Sequence, residues 1–204
     1  MAKAFTRGFA AANLCALLCL SITGCSLIPA RTSTAPACQT PAQWHGDLYS
    51  VDMLSPRDGW AAGQALFHFD GTRWCRAPHT PNATLYSISM VNAHDGWAAG
   101  GTALLHYDGT NWQPVPVPGG GWLGKVEMLA ANDGWAIGFL TSKPGTPPRP
   151  TLVLHYDGSV WRQVPVPDGP PTLNDIAMTS ATDGWAVADD DQSHALMLHY
   201  DGTR

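Results

Sequence analysis

From Leu85 to Val91 apolar and polar side chains alternate, with Tyr86, Ile88 and Met90 on one side and Ser87 and Ser89 on the other. A period of two is that of a strand whose faces meet different surroundings. Asn92 to Gly96 is polar and ends in Asp-Gly, a hairpin signal. Trp97 to Gly101, small residues beside a bulky Trp, predicts a second strand, and Thr102 to Tyr107 a third. Asp108-Gly109-Thr110-Asn111 is a further turn. Trp112 to Val117 predicts a fourth strand, with Pro114, Pro116 and then Pro118 at alternate positions. Proline has no amide to donate, so this strand belongs at the outer edge of its sheet.

The same order of features recurs along the chain. Asp-Gly-Trp-Ala occurs four times, beginning at Asp58, Asp95, Asp133 and Asp183. Ten residues before each Asp stands Leu48, Leu85, Leu123 or Leu173, and five after each Leu stands Met53, Met90, Met128 or Met178. His-aromatic-Asp-Gly follows in each unit, from His68, His106, His155 and His199, and Trp74, Trp112 and Trp161 lie four residues past its Asp. Four antiparallel strands in a repeat of this length describe one blade of an all-β propeller, which buries its apolar faces only against neighbouring blades. The methionines are expected in the layers between blades beside Trp60, Trp97, Trp135 and Trp185. The blades are expected at about 47–82, 84–121, 122–171 and, in part, 172–204. The last unit stops at Arg204, one position before its expected Trp. A truncated reading frame is the favoured reading, and the alternative has Gln43-Trp44 supply the missing outer strand, packed against the strand of Tyr200.

The first residues read as an address. Lys3 and Arg7 precede an apolar run, Gly8 to Ile22, which ends in Ile22-Thr23-Gly24-Cys25. Basic start, short apolar stretch and small residue before cysteine resemble a bacterial lipoprotein signal, 1–24. The resemblance implies that Cys25 carries the lipid, that 25–41 is a tether, and that the domain is exported and held at the cell membrane. Cys15 and Cys19 leave with the signal, so Cys38 and Cys75 remain as an even pair in an oxidising compartment and are expected to form a disulfide.

Apolar residues make up 45% of the 204, enough for a core, and charged residues only 13%. Gly 21 and Pro 17 exclude a helical bundle. The formal net charge is −5, and −7 once Lys3 and Arg7 are removed, which argues against nucleic acid as a partner. The four repeated histidines invite a metal site, but equivalent positions on stacked sheets stand about 10 Å apart, whereas zinc needs nitrogens within about 2.1 Å. Each His is therefore expected to hydrogen-bond within its own blade, and the Asp of each Asp-Gly to cap turn amides. No metal or cofactor is expected. Asp189 to Asp191 lacks the spacing of a calcium loop, and Asn82-Ala83-Thr84 reads as a chance glycosylation match.

The units differ mainly between strands two and three. The third inserts Phe139 to Pro150, with Lys143 and Arg149, and the fourth inserts Asp189 to His194, with Asp190. These loops share a face with the connections between blades, which include Trp122. Variable loops on a repeated scaffold are where binding resides. Trp122, Lys143, Arg149, Asp190 and His194 are the candidate binding face.

Asp-Gly-Thr-x-Trp, at Asp70 to Trp74 and Asp108 to Trp112, resembles a shortened Asp-box of BNR propellers of sialidase and sortilin type. Gly-Trp-Ala-x-Gly resembles the propellers of the photosystem II assembly and stability factor family. The first resemblance implies a glycoside hydrolase as one alternative, the second an assembly factor for a membrane complex. Glycosidases need placed carboxyl groups, and this chain has one Glu, Glu127, at the position of Asp52 and Ser89 in the sister units, with its arginines scattered. No catalytic residue is expected. The expected function is a non-catalytic binding or scaffold module for a protein or carbohydrate partner.

Overall fold

The computed structural model describes residues 38–78, 80–141, 150–166, 172–189 and 194–203. They belong to one compact unit, Cys38–Arg204. The signal, Cys25 and the tether as far as Ala37 lie outside the described residues.

Fifteen strands in four antiparallel sheets are present among the described residues. The first sheet is β1 (Leu48–Ser55), β2 (Asp58–Gly63), β3 (Leu66–Phe69) and β4 (Trp74–Arg76), paired in that order. The second is β5 (Ser87–Asn92), β6 (Asp95–Gly100), β7 (Ala103–Tyr107) and β8 (Trp112–Pro114). The third is β9 (Gly121–Ala130), β10 (Asp133–Leu140), β11 (Thr151–Tyr156) and β12 (Trp161–Val164). The fourth has three strands, β13 (Thr172–Ser180), β14 (Asp183–Asp189) and β15 (Ala195–Tyr200). The first strands β1, β5, β9 and β13 adjoin one another from sheet to sheet. The proline-bearing β8 is the outer edge of its sheet, as its missing donor requires.

The two Asp-Gly pairs of each unit have different structures. In His-aromatic-Asp-Gly the glycine adopts the left-handed conformation at φ +87 to +89°, at Gly71, Gly109, Gly158 and Gly202. That pair is a true turn, and its Asp caps it: Asp108 Oδ1 accepts from the amides of Thr110 and Asn111, both at 2.8 Å. The Asp-Gly before each Trp is not a turn, contrary to expectation. Asp95 and Gly96 are the first residues of β6, and the turn lies earlier, at Ala93-His94. Glycine is required there by packing. A Cβ on Gly96 would meet Met90 Sδ at 2.4 Å, and one on Gly134 would meet Met128 Sδ at 2.2 Å.

Each sheet presents its Trp forward and its Met backward. Trp60 on the first sheet lies against Tyr107 and Trp112 of the second, with ring centroids 4.9 and 5.4 Å apart. Trp97 meets Tyr156 and Trp161 of the third at 5.0 and 5.1 Å, and Trp135 meets Tyr200 of the fourth at 5.0 Å. Met90 shares a core with Trp60, and Met178 with Trp135. Polar residues of the inner strands bind the next inner strand's backbone. Asp52 Oδ2 accepts from Met90 N at 2.7 Å, Ser89 Oγ from Met128 N at 3.0 Å, and Glu127 Oε2 from Met178 N at 3.3 Å. Buried Ser87 donates to the Val126 carbonyl at 3.1 Å.

The first and last sheets do not cover one another: Val51 is 62% exposed and Trp185 48%. Trp44 does not reach the Tyr200 strand, as the closure alternative required. It stands edge-on to Phe67 of the first sheet, centroids 6.4 Å apart, with the Arg76 guanidinium 4.4 Å from its ring centroid. A 3-10 turn, Pro41–Gln43, leads into it. Cys38 is bonded to Cys75 of β4, and Arg76 N donates to the Gln39 carbonyl at 2.8 Å. The segment before the first sheet is thus held on that sheet's outer strand.

Candidate functional site

The repeated histidines serve the fold. His68, His106, His155 and His199 each place Nε2 2.8 Å from Oδ1 of Asp58, Asp95, Asp133 and Asp183 respectively. A carboxylate only accepts, so Nε2 carries the proton. Each imidazole also lies over the Trp of its own sheet, centroids 4.5 to 4.6 Å apart. The partner of each His is therefore the Asp two residues before that Trp, an acid that sequence reasoning had placed in a turn. Among the described residues, no group of three His, Cys, Asp or Glu could hold a metal ion.

Glu127 is half-buried and bridges the third and fourth sheets through Met178. Burial pushes its carboxyl above the ordinary Glu value, against the opposing pull of the Met178 amide and Lys125. Lys125 itself pairs with Asp175 at 2.8 Å. These groups join neighbouring inner strands.

A row of aromatic rings crosses the first three sheets at the start of the inner strands. Tyr49 lies 5.1 Å from Tyr86, Tyr86 5.0 Å from Trp122, and Trp122 5.1 Å from Phe139, centroid to centroid. The last pair is stacked, with an interplanar angle of 12°. Tyr49 is 48% exposed, and the other three are half-buried. A bulge creates the row. The pairing of β1 with β2 slips between Leu48 and Ser50, leaving Tyr49 unpaired in the ladder, and a bulge re-aims the side chain it carries. Tyr86 follows Leu85 as Tyr49 follows Leu48. In the third sheet the slipped residue is Gly124, and the Trp122 ring fills the space instead, 3.7 Å from where a Gly124 Cβ would stand. Gly101 of the neighbouring turn clears the other side, again at 3.7 Å. In the fourth sheet the position is Asn174, which donates to Asp189 at 2.8 Å, so the row ends there.

Of the residues expected on the binding face, Trp122 sits inside this row. His194 is exposed and directly precedes β15 on the fourth sheet. Lys143, Arg149 and Asp190 lie outside the described residues. Tyr49, Tyr86 and Phe139 were missed, although an aromatic directly after the landmark Leu was visible in two units. Asp189, from the weak calcium candidate, is engaged by Asn174.

Antiparallel sheets of four strands, three in the last, succeed one another with their inner strands adjoining. The fold is that of a β-propeller. The chain is similar to YCF48 bound to D1 peptide, with a TM-score of 0.59 and 15% identity over 81% of this chain and 54% of that one. The WD40 β-propeller domain of Doa1 matches with a TM-score of 0.55 and 8% identity, over 76% of this chain and 52% of that one. The GH74 xyloglucanase of Xanthomonas campestris matches at 0.53 and 13%, over 77% of this chain and 31% of that one. The propeller chain spans about half the length of the first two structures. No protein-family model and no curated protein matches the sequence.

Proposed function

We propose that this propeller is a non-catalytic binding module, exported and tethered to the cell membrane through a lipid on Cys25, that holds a protein segment along the row Tyr49–Tyr86–Trp122–Phe139. The row is the observation that carries this reading. Half-buried aromatics at regular spacing on a rigid β frame give large contact area at low entropic cost. A protein ligand fits better than a sugar chain. A sugar ring needs an open aromatic face to stack on, whereas Trp122 and Phe139 stack on one another at 5.1 Å and Tyr86 lies against Trp122 at 5.0 Å. The YCF48 structure, which holds a D1 peptide, supports a protein partner for a propeller of this kind. A role in assembling a membrane complex is compatible with it. The GH74 likeness favours carbohydrate as the second reading.

A photo-reactive phenylalanine analogue at Trp122, introduced in the producing cells, tests the row directly. The expected result is a crosslinked protein adduct that disappears when Tyr86→Ala is added. Saturable binding of soluble xyloglucan, lost in the Tyr86→Ala/Trp122→Ala double variant, would instead assign the row to carbohydrate. Tethering is tested separately. The chain should partition with membranes, and Cys25→Ser should release it.

A further inference from the structure

We propose that the aromatic row takes an extended protein segment at two points: an arginine side chain of the segment lies between the Tyr49 ring and the Asp47 carboxylate, and a main-chain carbonyl accepts from the Trp122 indole N–H. This rests on the row being a protein-binding site and adds the chemistry of the segment it accepts.

Aromatic rings supply contact area, and the few polar groups among them fix which ligand fits and in what register. The row has two such groups. Asp47 directly precedes β1 and is exposed, and the Tyr49 hydroxyl donates to its Oδ2 at 3.2 Å. That bond fixes the carboxylate at the Tyr49 end of the row and leaves Oδ1 without a partner among the described residues. The second group is the Trp122 indole N–H. It makes no hydrogen bond among the described residues and is not enclosed, unlike the indole N–H groups of Trp60, Trp112, Trp135 and Trp161. Gly101 keeps it accessible. Trp122 Nε1 stands 3.7 Å from where a Cβ on that glycine would be, and the corresponding residue of the first unit is Gln64.

Charge selects the class of ligand. A carboxylate only accepts, so the group that complements Asp47 is a cationic donor. An acidic side chain has no such welcome, because Lys125, three residues after Trp122, is already held by Asp175 at 2.8 Å. The net charge of −5 acts in the same direction. Arginine suits the place better than lysine. The Tyr49 ring is 48% exposed and tilted at 45° to Tyr86 rather than stacked on it. A guanidinium can lie on that ring while its fork meets the carboxylate, whereas an ammonium is a point charge. The chain uses this mode once within itself: the Arg76 guanidinium lies 4.4 Å from the Trp44 ring centroid, and its Nη1 donates to Gln39 Oε1 at 3.3 Å.

The spacing of the rings sets the register. Tyr49 lies 5.1 Å from Tyr86 and Tyr86 5.0 Å from Trp122. The Tyr49 and Trp122 rings are therefore no more than about 10 Å apart, which an extended chain rising about 3.3 Å per residue covers in about three residues. The arginine thus falls within about three residues of the carbonyl at Trp122, with the side chains between them over Tyr86. Every residue of the ligand has a carbonyl, so the arginine carries the sequence selectivity.

A random dodecapeptide library displayed on phage, selected on the whole chain and counter-selected on Tyr86→Ala/Trp122→Ala, tests this. The retained peptides should carry an arginine within about three residues of an apolar residue. One of them is then synthesised and its binding followed by fluorescence anisotropy. Asp47→Asn keeps an acceptor for Tyr49 and removes only the charge, and it should weaken binding roughly 3- to 10-fold. Asp47 is exposed, so the variant should fold, which circular dichroism checks. Replacing the peptide's arginine by glutamine should cost a similar factor, and both changes together no more than either alone. Trp122→Phe, which keeps a ring and removes the N–H, should also weaken binding while leaving the effect of Asp47→Asn in place. Raising sodium chloride to about 0.5 M should weaken the wild type far more than Asp47→Asn. Retained peptides without arginine, binding indifferent to Asp47→Asn, or lysine serving as well as arginine would overturn the proposal and leave the row a binding site. A library that yields no peptide distinguishing the wild type from the double variant would overturn the row itself, and this proposal with it.

Discussion

The Glu127 carboxylate accepts a hydrogen bond from the Met178 amide at 3.3 Å, across the seam between the third and fourth sheets. The residue that first suggests a general acid therefore takes the place that Asp52 and Ser89 take at the other seams. Its function is to join inner strands that share no ladder.

Glu127→Ala should destabilise the domain by roughly 1–3 kcal/mol, because a partly buried amide loses its partner. Glu127→Gln keeps an acceptor and should cost less. The pH dependence separates charge from hydrogen bond. Burial raises the folded pKa of Glu127 above its ordinary 4.5, so the folded state holds its proton to higher pH than the unfolded state. Ionisation then costs stability as pH rises from about 4.5 through the raised value. Urea titrations at several pH values should show Glu127→Gln gaining on the wild type across that window. Parallel curves would refute the linkage.

The turn carboxylates act in the opposite direction. The Thr72 hydroxyl and the Arg73 and Thr72 amides hold Asp70 down to about 2. The Val160 and Ser159 amides, with Arg162, do the same for Asp157. A depressed folded pKa contributes stability that is present above the unfolded value and lost as pH falls through the folded one. Thermal melts should therefore decline between pH 3.8 and about 2. The double variant Asp70→Asn/Asp157→Asn should flatten that decline.

Gly134 and Met128 should be energetically coupled. With Met128 Sδ 2.2 Å from the site of a Cβ, Gly134→Ala forces the thioether aside and should cost about 1–3 kcal/mol. In a double-mutant cycle with Met128→Ala, the coupling should reach roughly 0.5–3 kcal/mol, since the alanine methyl is then crowded only by the Glu127 carbonyl, at 3.2 Å. Additivity would show that the glycine answers to something other than the methionine.

Reducing the Cys38–Cys75 bridge, which spans 37 residues, should lower stability by roughly 2–4 kcal/mol. The segment carrying Trp44 is held by that bond, by Arg76 N to Gln39 O and by the Arg76 guanidinium on the indole. Reduction should therefore also move tryptophan emission to longer wavelength, and Trp44→Phe should remove that part of the change. An unchanged spectrum in reductant would mean that Trp44 keeps to Phe67 without the bridge.

The sheets, their strand order and the outer place of β8 were legible in the sequence because they rest on local signals. Alternation places the faces, proline excludes the inner ladder, and His-aromatic-Asp-Gly places the left-handed glycine. The pairing of Cys38 with Cys75 followed from elimination. Other features depend on residues meeting across sheets or across distant turns. The Asp before Gly-Trp looked like a turn residue because Asp-Gly usually is one. Only the register of β6 on β7, which sets Trp97 opposite His106, brings the Asp95 carboxylate within 2.8 Å of that imidazole, with Met90 over the glycine. Likewise the aromatic row exists because a bulge turns Tyr49 out of the ladder and because Trp122 lies over Gly124.

By itself the sequence determined that this chain is a series of like four-stranded units, since a period of two and a recurring set of landmarks admit little else. The tertiary structure alone decided which side chains serve the seams and which remain outside them. Asp52, Ser89 and Glu127 are three chemistries in one role, and Trp60 and Trp185 are one residue type in two environments. Burial is a property of what lies opposite, and what lies opposite one sheet is the next, whose residues stand 38 to 51 positions further along the chain.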